Sequence, residues 1–301
     1  MKVLCGLALA VALTTTATAR QERQTFRSRA AAVTVDVSVS DGRLVIPGLK
    51  ADDFELRDNG VVQTIEATSL EAIPFDLSLV VDTSDSLDAQ TLDQFRSDIS
   101  VIAGMLTPQD RFRLVTFATR GTDAFGWLPG ASAPPVGKIA AGGATAFYGT
   151  LGSVLARRTS AGRRHLVVAM SDGFDNVSAL DEEDLQHLAS VGDAVLHIIL
   201  RRQSLGPRPN WGWVPRIGPG DAGTLKRAAE STGGRLREVN PKAALLEEFK
   251  QALAEFRTSY VLWYTPQGVS STGWHTLDVQ VKKGRYETRA RRGYDAGGGT
   301  P

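Results

Sequence analysis

The chain has 301 residues, 42% apolar and 22% charged. That is enough to bury a full-size core and too apolar for a disordered chain. Lysine and arginine number 34 against 33 aspartates and glutamates, for a net charge of +1 without long runs of one sign, so nucleic acid finds no electrostatic footprint. The single cysteine, Cys5, excludes a disulfide framework, a cysteine-based zinc cluster and a cysteine nucleophile in the body of the protein.

Residues 1–19 read as a cleavable signal peptide. Lys2 is followed by an apolar run over 3–13 and by Ala17-Thr18-Ala19, a small-x-small cleavage pattern. The run is too short to span a bilayer, and no later stretch reaches the ~18 apolar residues a membrane helix needs. The expected product is exported, secreted or periplasmic, and carries no thiol.

From about residue 32 to 69, apolar and polar residues alternate with period two. Strands are predicted at 33–40, 54–57 and 61–66, with turns at Asp41-Gly42 and Asp58-Asn59-Gly60. From residue 75 the texture changes. Residues 75–81 form a near-continuous apolar run, as in a strand buried on both faces. An amphipathic helix at 88–106, a strand at 111–118, a helix at 145–158 and a strand at 165–170 follow. Then come a helix at 181–191, a strand at 194–200, a helix at 221–231, a strand at 236–239 and a helix at 241–256. This alternation predicts an open, mostly parallel sheet with helices on both faces. Period-two strands return at 260–264, 275–281 and 286–291, and the Gly-rich 295–301 reads as a flexible tail.

Each β block is too small to stand alone, so the two are expected to pair with each other. The predicted fold class is α/β, a doubly wound, mostly parallel sheet inserted in a small antiparallel β-sandwich. The expected division is a signal at 1–19, a β domain built from 20–73 and 258–294, an α/β domain at 74–257 and a tail at 295–301.

Doubly wound sheets bind ligands beyond the carboxyl ends of their strands. The predicted strand at 75–81 is followed by Asp82-Thr83-Ser84-Asp85-Ser86, and the strand at 165–170 by Ser171-Asp172-Gly173-Phe174-Asp175. Between them lies Gly142-Gly143-Ala144-Thr145-Ala146 at a helix start. Carboxylates and hydroxyls are hard oxygen donors, and the three loops hold neither sulfur nor histidine. That inventory suits Mg²⁺, Mn²⁺ or Ca²⁺ better than zinc or copper.

Asp82-x-Ser84-x-Ser86, with Thr145 and Asp172, resembles the metal-ion-dependent adhesion site of von Willebrand factor type A domains, position by position and in order. The flanking Pro47-Gly-Leu-Lys-Ala-Asp-Asp-Phe54, Asp58-Asn-Gly60 and Arg291-Arg292-Gly293-Tyr294 resemble exported bacterial proteins related to that family. The resemblance implies direct ligation by Ser84 and Ser86, ligation by Thr145 directly or through water, and charge supplied through water by Asp82 and Asp172. It implies a divalent cation, Mg²⁺ foremost, with one position left for an acidic side chain of a protein partner. Position 85, often glycine in the family, is Asp85 here; its charge either strengthens cation capture or repels an acidic partner.

The plain alternative is helix capping, since Asp, Ser and Thr are favoured N-caps. Gly218-x-Gly220-x-x-Gly223 matches a dinucleotide fingerprint but follows a loop and contains Pro219. The four histidines are scattered, and Asn176-Val177-Ser178 is a chance-level glycosylation sequon. Trp211 and Trp213 sit in a proline-rich loop expected on the metal edge and are candidate partner contacts. The expected function is a metal-dependent protein-binding module, not an enzyme. The alternatives are a scaffold with a structural cation and, behind it, a metal-assisted hydrolase.

Overall fold

In the computed structural model, residues 32–69, 73–85, 89–158, 160, 162–201, 222–240 and 245–297 are described. Residues 1–31, including the segment read as a signal peptide, lie outside them, as do Ser86, Trp211, Trp213 and residues 298–301. The first strands are β1 (Val33–Asp41), β2 (Leu44–Val45), β3 (Phe54–Asp58), β4 (Val61–Val62) and β5 (Glu66–Ser69). Next come β6 (Phe75–Asp82), α1 (Ala89–Gly104), β7 (Arg111–Phe117), β8 (Gly121–Pro129), α2 (Phe147–Leu155) and β9 (Arg164–Ser171). They are followed by α3 (Glu182–Val191), β10 (Val195–Arg201), α4 (Ala222–Ser231), β11 (Leu236–Val239) and α5 (Leu245–Thr258). The last are β12 (Tyr260–Tyr264), β13 (Trp274–Val281), β14 (Glu287–Ala290) and β15 (Gly293–Asp295).

The apolar run of β6 is buried along its whole length. It lies between β7 and β9, parallel to both, and β10 and β11 continue parallel beyond β9. The spatial order is β11-β10-β9-β6-β7-β8. The chain therefore moves outward from β6 to β8, then returns to build the other half from β9. The reversal between β6 and β9 is the switch point where such sheets form a ligand crevice.

Side-chain alternation on β6 divides the core. Leu77, Leu79 and Val81 pack with Phe95 and Ile99 of α1 and with Phe249 and Leu253 of α5. Val80 joins Val115, Phe117, α2, α3 and α4 on the opposite face. Each fully buried Leu or Phe contributes about 2 kcal/mol of hydrophobic stabilisation.

Sequence periodicity did not reveal β8. It is the antiparallel edge of this sheet, mostly exposed and with shifts in its register to β7. One neighbour and one wet side impose little apolar patterning.

Strands from both ends of the chain share the β-sandwich. β1 pairs with β12 and β14, β12 with β5, and β13 with β3 and β15. Val35, Val37, Phe54, Leu56, Leu262 and Val279 form the core between the sheets. The strand expected at 61–66 is split. Val61–Val62 pairs with β3, whereas Glu66–Ser69 pairs with β12 in the other sheet. Gln63 holds the crossing: its side chain donates to Gln267 O at 3.0 Å and accepts from Gln267 N at 2.9 Å.

The β1 sheet also meets the α/β domain. Arg164 donates to Asp36 at 2.8 Å, to Phe256 O at 3.0 Å and to Ser259 Oγ at 2.9 Å. No helix among the described residues is long and apolar enough to cross a membrane.

Candidate metal centre

The switch point holds three of the loops singled out from the sequence, and backbone hydrogen bonds stitch them together. Asp85 N donates to Gly143 O at 3.0 Å, Gly142 N to Thr83 O at 2.8 Å and Asn176 N to Thr145 O at 2.9 Å. Two glycines allow this closeness. Gly143 has φ +100°, and a Cβ there would meet Thr119 Oγ1 at 2.6 Å; Gly173, with φ +87°, turns the chain just after Asp172.

Asp82 ends β6 and is buried. Its Oδ1 accepts from Ser84 N at 2.9 Å, and its Oδ2 accepts from Ser171 Oγ at 2.8 Å. The carboxylate is thereby fixed between the first and third loops. Ser84 and Thr145 are also buried, and Asp172 is partly exposed, accepting from Phe174 N at 3.2 Å. Asp82, Ser84, Thr145 and Asp172 thus stand on one cross-bonded edge. Ser86, Trp211 and Trp213 lie outside the described residues.

Capping at the start of α2 falls to a different residue. α2 begins after Ala146, which makes no side-chain cap, and Tyr148 N donates instead to Asp175 Oδ2 at 2.6 Å. Asp175 also accepts from Val177 N and Ser178 N, and Ser178 Oγ accepts from Gly149 N at 2.9 Å. Asn176 Oδ1 accepts from Thr145 N at 2.8 Å, so the sequon asparagine serves this loop. Sequence reasoning placed Asp175 near the site and left Ser171, Asn176 and Ser178 without a role. Asp175, Asn176 and Ser178 meet partners at the start of α2 and just before it, 27 to 31 residues away, and Ser171 meets Asp82 on β6, 89 residues away, all beyond any local pattern.

The donors available here are oxygens. His165 and His197 are buried within the sheet, and burial pulls their pKa values down to about 4 and about 3. His275 is buried in the sandwich against Asp58, at 2.7 Å. Among the described residues, no three His, Cys, Asp or Glu side chains are placed to hold a metal together. A cation at this edge therefore needs the hydroxyls of Ser84 and Thr145 beside the two carboxylates. Such a set fits a hard divalent ion. Two cavities of about 450 and 590 Å³, both lined by Pro74 and Arg164, lie near the start of β6 and away from this edge.

No family model matches the chain, and no curated protein sequence does. Among solved structures, a von Willebrand factor type A protein from Catenulispora acidiphila is 12% identical, with a TM-score of 0.48, over 90% of this chain and 74% of that one. BatB from Bacteroides thetaiotaomicron is 13% identical, with a TM-score of 0.44, over 60% of this chain and 98% of that one. Proximal thread matrix protein 1 from the mussel byssus, with a zinc-occupied MIDAS motif, is 18% identical, with a TM-score of 0.46, over 67% of this chain and 50% of that one. Strand order with the switch at β6 and β9, a single antiparallel edge strand and helices on both faces together make the α/β part of this chain a von Willebrand factor type A fold.

Proposed function

We propose that this protein is a divalent-cation-dependent protein-binding module. One observation carries the reading: Asp82, Ser84, Thr145 and Asp172 share the carboxyl edge of the switch point on three loops bonded to one another. Ser84, Thr145 and Ser86 would hold the cation through neutral hydroxyls, with Asp82 and Asp172 balancing its charge. A bound Mg²⁺ supplies a positive centre that neutral ligands leave largely unquenched, and an acidic side chain of a partner is its natural counterpart.

One feature favours binding over a metal-assisted hydrolase. Residues 82–85, 142–146 and 171–176 contain no His, Lys or Cys to serve as base or nucleophile beside a metal. Residues 1–19 support an exported location, and Trp211 with Trp213 would add apolar contact beside the metal.

The test is capture of partners from the exported fraction in Mg²⁺, repeated with chelator and with Ser84→Ala. A partner released by chelator and not retained by the folded variant supports the proposal. Capture indifferent to both contradicts it.

A further inference from the structure

A cavity of about 460 Å³ adjoins the metal loops at the same edge of the sheet. Its walls come from the turn between β7 and β8 and from residues 135–142. Thr83 and Gly142 line it and, through their mutual hydrogen bond, also belong to the metal loops. The walls are fixed. Thr83 Oγ1 donates to Phe117 O at 3.1 Å, and Ala144 N donates to Thr119 Oγ1 at 3.2 Å.

The chemistry of the walls is directional. Thr116 and Thr122 are register partners on β7 and β8, and both line the cavity. Among the described residues, neither hydroxyl has a hydrogen-bond partner, so both can serve the amide groups of an incoming backbone. Arg120 lines the cavity from the turn and is exposed, with no carboxylate in ion-pairing range among the described residues. Asp123 lines it too, but its charge is met by Arg157 at 3.3 Å and Arg113 at 3.8 Å. Among the described lining residues, the uncompensated charge of this cavity is therefore Arg120's.

We infer that the cavity is the second half of the partner-binding surface, an acceptor for an extended acidic peptide segment. The segment adjoining the metal-bound acid lies along Thr116 and Thr122, and a second acidic side chain pairs with Arg120. This rests on the metal-dependent reading above, and the experiment separates the two.

The probes are fluorescein-labelled peptides bearing two glutamates separated by one, two or three glycines. Each is matched with a version carrying glutamine in place of the second glutamate. Fluorescence anisotropy is read in millimolar Mg²⁺ and in chelator. At the fitting spacing, the second glutamate should tighten binding about fivefold, the scale of an exposed ion pair. That exceeds the roughly twofold gain two equivalent metal-binding acids give by statistics alone. The gain should shrink in high salt. Arg120→Gln should erase it while leaving the glutamine peptide's Mg²⁺-dependent affinity unchanged. Thr122→Val should weaken both peptides. If paired peptides bind equally at every spacing while chelator still releases them, the inference fails and the metal reading stands. Binding indifferent to chelator, or no binding of any peptide, overturns both.

Discussion

Ser171, the last residue of β9, donates its hydroxyl to Asp82, the last residue of β6, at 2.8 Å across the reversal in strand order. The bond fixes the Asp82 carboxylate with its other oxygen on Ser84 N. Ser171→Ala leaves the buried Asp82 short of one donor and should cost about 1–2 kcal/mol of stability. Mg²⁺ affinity should fall several-fold, because the aspartate and the Ser84 loop lose a common anchor. Denaturant titration and calorimetry on the same variant check both effects.

Cation binding should stabilise the fold, because the assembled loops exist only in the native state. At ligand concentrations about 100 times Kd the gain is ~2.7 kcal/mol, or roughly 4–5 °C in Tm for a chain of this size. Ser84→Ala and Asp172→Asn should lose most of that shift while melting near the wild type in chelator. Differential scanning calorimetry with and without Mg²⁺ gives the comparison.

Asp175 should matter for folding more than for binding. It accepts from the α2 amide of Tyr148 and from Val177 and Ser178 in its own loop. Asp175→Ala leaves those donors unmet and should destabilise by about 2–3 kcal/mol. A urea melt with a lowered midpoint and unchanged slope is the expected readout.

Two buried histidines set an acid limit. Burial is the chief cause that lowers His165 and His197, helped by Arg113 for the first and by Arg237 and Arg235 for the second. Their folded pKa values, about 4 and about 3, lie below the unfolded value of about 6.5. The unfolded chain therefore binds more protons as pH falls below 6.5, and stability is lost. By pH 5 each histidine should account for about 2 kcal/mol of that loss. His197→Phe should flatten the decline between pH 7 and 5 by about that amount, measured by denaturant titration at each pH.

The central sheet was legible because β6, β9 and β10 are apolar along their length and alternate with amphipathic helices. The pairing of the terminal strands followed from period two and small block size. Less was legible where one pattern fits two structures. Residues 61–69 alternate alike before and after the chain changes sheets, so the break at Gln63 left no mark. The exposed edge strand β8 had too little apolar pattern to read. At the site, Asp82, Ser84, Thr145 and Asp172 were visible as chemistry beyond strand ends. The anchoring by Ser171 and Asp175 was not, because it depends on contacts made only when β6, β9 and α2 assemble.

The most direct test of the central claim, cation binding by the three loops, is an anomalous difference map from crystals grown with Mn²⁺. The expected result is a peak bounded by Ser84, Thr145, Asp82 and Asp172, absent in Ser84→Ala crystals grown the same way. A wild-type map at saturating Mn²⁺ with no peak at that edge, or with a peak there that Ser84→Ala leaves in place, would contradict the account.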